Sequence, residues 1–117
     1  MDFKASKGIF LQIADNICRQ ILEGRLPAGE RTPSVRDLAA DLEVNRNTVL
    51  RTYESLEREG IIENRRGVGY FVSESAASII ADREKEEFFR SDLPEFIGKV
   101  KLLNLENEVK QLLEKEL

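Results

Sequence analysis

Pro33-Ser34-Val35-Arg36-Asp37-Leu38-Ala39-Ala40-Asp41-Leu42-Glu43-Val44-Asn45-Arg46-Asn47-Thr48-Val49-Leu50-Arg51 is the stretch that decides the fold. It reads as two short helices joined by a tight turn. Ser34 suits an N-cap, and Asp37 three residues on completes an approximate capping box. That helix runs to about Leu42, with Leu38, Ala39 and Leu42 as its buried face. Asn45 caps the next helix, which continues to Glu59 and places Val49, Tyr53 and Leu56 on one core stripe. The second helix opens on polar and basic side chains. A helix-turn-helix that reads DNA presents the start of its second helix in this way.

The flanking sequence supports that reading. Upstream, residues 9–23 carry Ile9, Ile13, Ile17 and Ile21 at helical spacing, with Phe10, Ala14 and Leu22 beside them. Gly24 ends this helix, and Leu26-Pro27-Ala28-Gly29 turns the chain. Downstream, Gly60 stops the third helix. Two short β-prone runs, Ile61–Asn64 and Tyr70–Val72, then flank the loop Arg65-Arg66-Gly67-Val68-Gly69. A hairpin placed directly after a helix-turn-helix is a wing. Its glycines allow close approach to a surface, and its arginines suit phosphates or a minor groove.

Past Val72 the composition changes. Ser73-Glu74-Ser75 reads as a connector, and 76–91 as a charged helix with apolar Ile79, Ile80, Phe88 and Phe89. Asp92-Leu93-Pro94 reads as the start of another helix, capped at Asp92 or Leu93 with Pro94 in the first turn. Asn104-Leu105 breaks that helix, and 106–116 forms the last one. The expected fold is mainly α with a small β-hairpin: a winged helix-turn-helix domain over 1–73 and a short helical dimerisation region over 74–117. Forty-four residues cannot bury three amphipathic faces on themselves, and symmetric pairing is the economical solution.

Composition excludes much. The chain has no His and one Cys, Cys18, so His-based acid–base catalysis, Ser–His and Cys–His nucleophiles and the usual structural zinc sites are absent. No catalytic residue, metal site or cofactor is expected. Cys18 lies near the apolar stripe of the first helix and reads as a buried, inert thiol. A single cysteine makes no internal disulfide, and neither a membrane span nor an export signal is recognisable, so the expected location is cytoplasmic.

The net charge of −4 counts at first against DNA as a partner. Its distribution reverses that. Residues 1–72 hold eleven Lys/Arg and eleven Asp/Glu, whereas residues 73–117 hold seven and eleven. Segments 44–51 and 64–73 carry Arg46, Arg51, Arg65 and Arg66 and no acid. Screening acts over about 8 Å at physiological salt, so a phosphate feels the local patch.

Several spaced motifs resemble the DNA-binding domain of GntR-family bacterial transcription regulators. They are Leu26-Pro27-Ala28-Gly29, Pro33 to Ala39, Val44 to Val49, Leu56-Glu57-Arg58-Glu59-Gly60-Ile61-Ile62 and Arg66-Gly67-Val68-Gly69-Tyr70-Phe71-Val72. Within the family the chain looks like the YtrA-like subfamily, whose C-terminal part is a few helices rather than a large effector domain. Three positions depart from the pattern. Arg46 stands where the subfamily usually has Pro, Thr32 where the family usually has Leu, and Leu50 where many larger members have a contacting Arg.

The resemblance implies a homodimeric regulator, a repressor in the first instance, on double-stranded DNA. Its operator would be near-palindromic, with half-sites one helical turn or a multiple apart. The resemblance puts Arg36, Arg65, Arg66 and Gly67 against DNA; helix-turn-helix docking puts Arg46, Asn47 and Thr48 there, with Arg51 in reach of a phosphate. Asn45 joins them as a cap that can also meet a phosphate. Each has a plain alternative. Arg36 could pair with Asp37 or Asp41, Arg51 with Glu54, and the wing residues could form a soluble turn. A small apolar effector fits between the C-terminal helices of the dimer. The other reading of the fold is a winged-helix interaction module that never touches DNA.

Overall fold

The computed structural model describes residues 8–117. The described chain forms two compact units that divide after Ala81.

In the first unit, α1 (Ile9–Leu22) buries Ile13, Ile17, Cys18 and Ile21. Glu23 closes it, and Gly24 follows at φ +79°, a left-handed turn that glycine takes without a Cβ clash. Ile9 and Leu22 share the stripe by spacing but stay exposed at the two ends of the helix. α2 (Val35–Leu42) starts as expected, with the Asp37 backbone N–H donating to Ser34 Oγ at 3.0 Å. Its buried face is smaller than the sequence suggests. Ala39 is buried and Leu38 half-buried, but Leu42 is 44 % exposed. The reason is the exit. Glu43 adopts φ +55°, turns the chain toward the next helix, and leaves Leu42 lining a shallow groove with Ile9 and Leu38.

α3 (Arg46–Arg58) crosses behind both helices and buries Val49, Thr52, Tyr53 and Leu56. The Thr52 hydroxyl donates to the Thr48 carbonyl at 2.8 Å, so this buried polar group is satisfied within its own helix. Gly60, at φ +82°, ends the turn after α3. The hairpin follows as β1 (Ile62–Arg65) and β2 (Gly69–Val72), antiparallel, with Ile62 opposite Val72 and Arg65 opposite Gly69. Arg65 is therefore the last paired residue of β1, and the tip is the three residues Arg66, Gly67 and Val68. This corrects the wing tip expected from sequence, which began at Arg65.

The segment before α2 pairs with the other edge of β2, which the sequence reading did not anticipate. Gly29 N–H donates to the Val72 carbonyl at 2.8 Å, Val72 N–H to the Glu30 carbonyl at 2.9 Å, and Thr32 N–H to the Tyr70 carbonyl at 2.9 Å. Arg31 stands opposite Phe71. β2 is thus hydrogen-bonded on both edges, to β1 and to this short segment. The inner face, Ile62, Val72 and Thr32, is buried.

Ser73, expected in a loose connector, is also buried. Its Oγ donates to the Gly60 carbonyl at 2.6 Å and its N–H to the Ile61 carbonyl at 3.0 Å. α4 (Ala76–Glu87) then contributes Ala76 and Ile80 to the same core, with Ile79 packed against it.

In the second unit the chain stays helical where a break was expected. A π-turn, Phe88–Asp92, leads straight into α5 (Leu93–Leu102). Asp92 has helical angles (φ −65°, ψ −46°) and makes no side-chain cap, so neither it nor Leu93 starts a new helix from a loop. The Leu93 N–H donates to the Phe88 carbonyl, five residues back. A proline ring clashes with the carbonyl four residues before it and offers no N–H; the wider turn just ahead of Pro94 relieves both problems without breaking the helix. Asn104, at φ +56°, does break it, and α6 (Glu106–Glu116) follows. α5 and α6 enclose an apolar groove of about 390 Å³ walled by Leu93, Phe96, Ile97, Val100, Val109 and Leu113. No helix among the described residues is long and apolar enough to cross a membrane.

Candidate nucleic-acid interface

The candidate site is built on the start of α3. Asn45 precedes the helix in extended conformation (φ −67°, ψ 137°), and its Oδ1 accepts the Asn47 backbone N–H at 2.7 Å. Its side chain is therefore a cap, as its place before the helix suggests. Arg46 and Asn47 follow and are exposed, and Thr48 is half-buried. One turn on, Leu50 and Arg51 continue the exposed face, opposite the buried Val49, Thr52 and Tyr53. The cap takes the Asn47 N–H and the Asn45 carbonyl accepts the Thr48 N–H at 3.0 Å, so it is chiefly the positive end of the helix dipole that favours an anion here.

Arg36 is the second residue of α2 and is exposed. Among the described residues no ion pair joins it to Asp37 or Asp41, and none joins Arg51 to Glu54. The ion-paired alternatives for these two arginines are thus not realised. At the wing, Arg66 and Gly67 are exposed at the tip, and Gly67 has φ +77° with open space where a Cβ would stand. Gly69 is different. A Cβ there would lie 2.8 Å from Arg31 Nε, so the side of Gly69 expected to be open to a surface is already covered. Arg65 lies with its guanidinium 4.1 Å from the centre of the Phe71 ring, so it reaches back over the strand instead of forward to the tip.

The two halves of this surface are tied together from below. The Tyr53 hydroxyl, on α3, donates to the Pro33 carbonyl at 2.7 Å, just ahead of α2. The Tyr53 ring meets Tyr70 of β2 edge-on, with centroids 5.1 Å apart. The Thr32 hydroxyl lies 3.2 Å from the Tyr70 carbonyl, so its polar group is satisfied although it stands where an aliphatic residue is usual. Burial pushes the Tyr53 phenol up to about 12, with the Thr32 hydroxyl offsetting part of the shift. Tyr70 is raised in the same sense, by burial and then by the negative charges of Glu57 and Glu54.

Sequence reasoning missed Arg31. Gly29-Glu30-Arg31-Thr32 shows no alternation of apolar and polar residues, so no local signal marks it as a paired segment. Among the described residues there is no group of His, Cys, Asp or Glu placed to hold a metal.

Residues 10–72 match the model of the bacterial regulatory proteins of the gntR family. The HTH-type transcriptional regulator YhcF of Bacillus subtilis (strain 168), itself uncharacterized, is 43 % identical over 106 residues, covering 91 % of this chain and 86 % of that protein. The HTH-type transcriptional repressor YtrA of the same organism is 40 % identical over 82 residues, covering 70 % of this chain and 63 % of that one. A GntR family transcriptional regulator from Listeria monocytogenes superposes with TM-score 0.76 at 30 % identity, covering 98 % of each chain. Three helices, a basic wing and a polar start to the third helix define a winged helix-turn-helix transcription regulator, a DNA-binding protein and not an enzyme. The chain belongs to the gntR family of bacterial regulators, on its YtrA-like branch.

Proposed function

We propose that the chain is a cytoplasmic repressor that binds a near-palindromic operator as a homodimer. Residues 1–73 are the DNA-reading part and 74–117 the dimerisation part. The observation that carries the reading is the exposed, acid-free start of α3, where Arg46 and Asn47 project from a capped helix terminus. Arg suits guanine O6/N7 and Asn suits adenine N6/N7 in the major groove. Arg36, Asn45, Thr48 and Arg51 serve the flanking phosphates. Arg66 and Gly67 enter the neighbouring minor groove, and Arg65 supports them from the strand.

Dimerisation rests on the apolar face of the second unit. Phe96, Ile97, Leu112 and Leu113 are all exposed, and the α5–α6 groove is apolar. A second copy covers that face, and a small apolar effector takes whatever cavity the pair leaves. The acidic tail keeps the net charge at −4 without placing acid at the α3 start or the wing tip.

The test is a mobility shift with DNA from upstream of the protein's own gene at two salt concentrations. Wild type binds and weakens steeply with salt. An Arg46→Ala, Arg66→Ala double variant loses that binding; unchanged binding would overturn the site assignment.

A further inference from the structure

Strand register fixes which side chains share the outer face of the wing. Residues opposite each other in a ladder lie on one face, as do residues two apart. Arg31 and Glu63 both stand opposite Phe71, and Arg65 stands opposite Gly69. Arg31, Glu63, Arg65, Gly69 and Phe71 therefore share the face turned away from the buried Ile62, Thr32 and Val72. The guanidinium of Arg65 rests over the Phe71 ring, and that of Arg31 fills the space over Gly69. Both arginines are exposed, and among the described residues neither has an ion pair, although Glu63 shares their face.

We infer that Arg31 and Arg65 together hold one backbone phosphate of bound DNA against the outer face of the wing. This rests on the DNA-binding reading above and adds a residue to it from outside both the helix-turn-helix and the hairpin. Two features favour a phosphate over a base. Arg65 turns back over Phe71 and Arg31 reaches forward as far as Gly69, so both guanidiniums sit on the paired strands behind the tip residues that would enter a groove. Each is also held by packing, one on an aromatic ring and one on a glycine, so little freedom is lost when the anion arrives. Gly69 is needed because any side chain there would displace Arg31. Glu63 opposes the phosphate and sets a limit on its affinity.

The test uses the full chain and two duplexes, one selected by the wild type from a random pool and one of unrelated sequence. Arg31→Gln keeps most of the side-chain length while removing the charge, and Arg31→Lys restores the charge. A phosphate contact carries no base information, so Arg31→Gln should weaken both duplexes by a similar factor, on the order of tenfold at 0.1 M salt, with recovery in Arg31→Lys. Glu63→Gln should tighten both. The slope of log affinity against log salt should fall by about one in the Arg31→Gln, Arg65→Gln double variant, because one phosphate is lost. A fall of about two would mean two separate phosphates and would overturn the shared site. Wild-type affinity and slope in Arg31→Gln, with an unchanged melting temperature, would overturn Arg31 alone and leave the operator reading standing. Absence of salt-sensitive binding by the wild type to either duplex would overturn both.

Discussion

Asn45 has one observed job and one proposed one, and a single substitution can separate them. Its Oδ1 accepts the Asn47 N–H at 2.7 Å, and it stands at the helix terminus proposed to meet phosphate. Asn45→Ala should cost about 1 kcal/mol in urea unfolding, the usual worth of a cap. Asn45→Asp keeps the cap and suits the helix dipole, so stability should hold or rise. Its added negative charge should nevertheless weaken DNA binding. Equal DNA affinity for wild type and Asn45→Asp would remove Asn45 from the interface. Glu43 offers a different lever. It holds φ +55° at the end of α2, a region that costs an L-residue about 1 kcal/mol. Glu43→Gly should raise the urea midpoint, with α2 and the turn otherwise intact.

At the scale of elements, Tyr53 binds α3 to the entry of α2 and to β2, and its ionisation reports on that junction. Its phenol is pushed up to about 12 in the folded chain, against about 10 in the unfolded one. The folded state then keeps a proton that the unfolded state loses. The stability this contributes is complete below pH 10 and is lost as pH rises through about 12, a change on the order of 2–3 kcal/mol. Urea midpoints at pH 8 and pH 11 should fall more in wild type than in Tyr53→Phe. A parallel fall in both would show that the junction tolerates the phenolate.

What the sequence made legible follows the range of the signals. Caps and helix stops are local, so Ser34, Gly24, Asn45 and Gly60 could be read directly, and α1 and α3 followed. Leu42 misled because spacing shows a face but not what lies opposite it, and the left-handed Glu43 turned the chain too early to bury it. Asp92-Leu93-Pro94 misled because a proline after a cap-forming residue looks the same whether a loop or a widened turn precedes it. The pairing of 29–32 with β2 was hidden because the partner lies some forty residues away in sequence. The candidate DNA residues of α3 were legible as an exposed, acid-free run. Arg31 was not, because only the ladder with Phe71 places it beside Arg65.

For the whole molecule, the proposed function requires a second copy. An operator with two half-sites rewards a dimer because the second contact is made at high effective concentration. The exposed Ile97 and Leu113 are the positions to test. Ile97→Lys with Leu113→Lys should convert a dimer to a monomer in sedimentation at micromolar concentration. The same variant should lose most of its preference for a two-half-site duplex over a single half-site. A wild-type chain that sediments as a monomer would remove the palindrome from the proposal.

The pairing of residues 29–32 with β2 also sets a clock. A two-stranded wing would open on its own and exchange its amide protons quickly with solvent. Here the Val72 amide is held by Glu30 and the Thr32 amide by Tyr70, on the side of β2 away from the hairpin. Opening the wing therefore requires pulling the entry of α2 off the sheet and exposing Ile62 and Val72. In deuterated water these amides should exchange as slowly as those of Tyr53 and Leu56, and the tip amides of Arg66 and Gly67 should exchange much faster. The wing is thereby held as a fixed ridge, and its three-residue tip is the part left free to adapt to a bound surface.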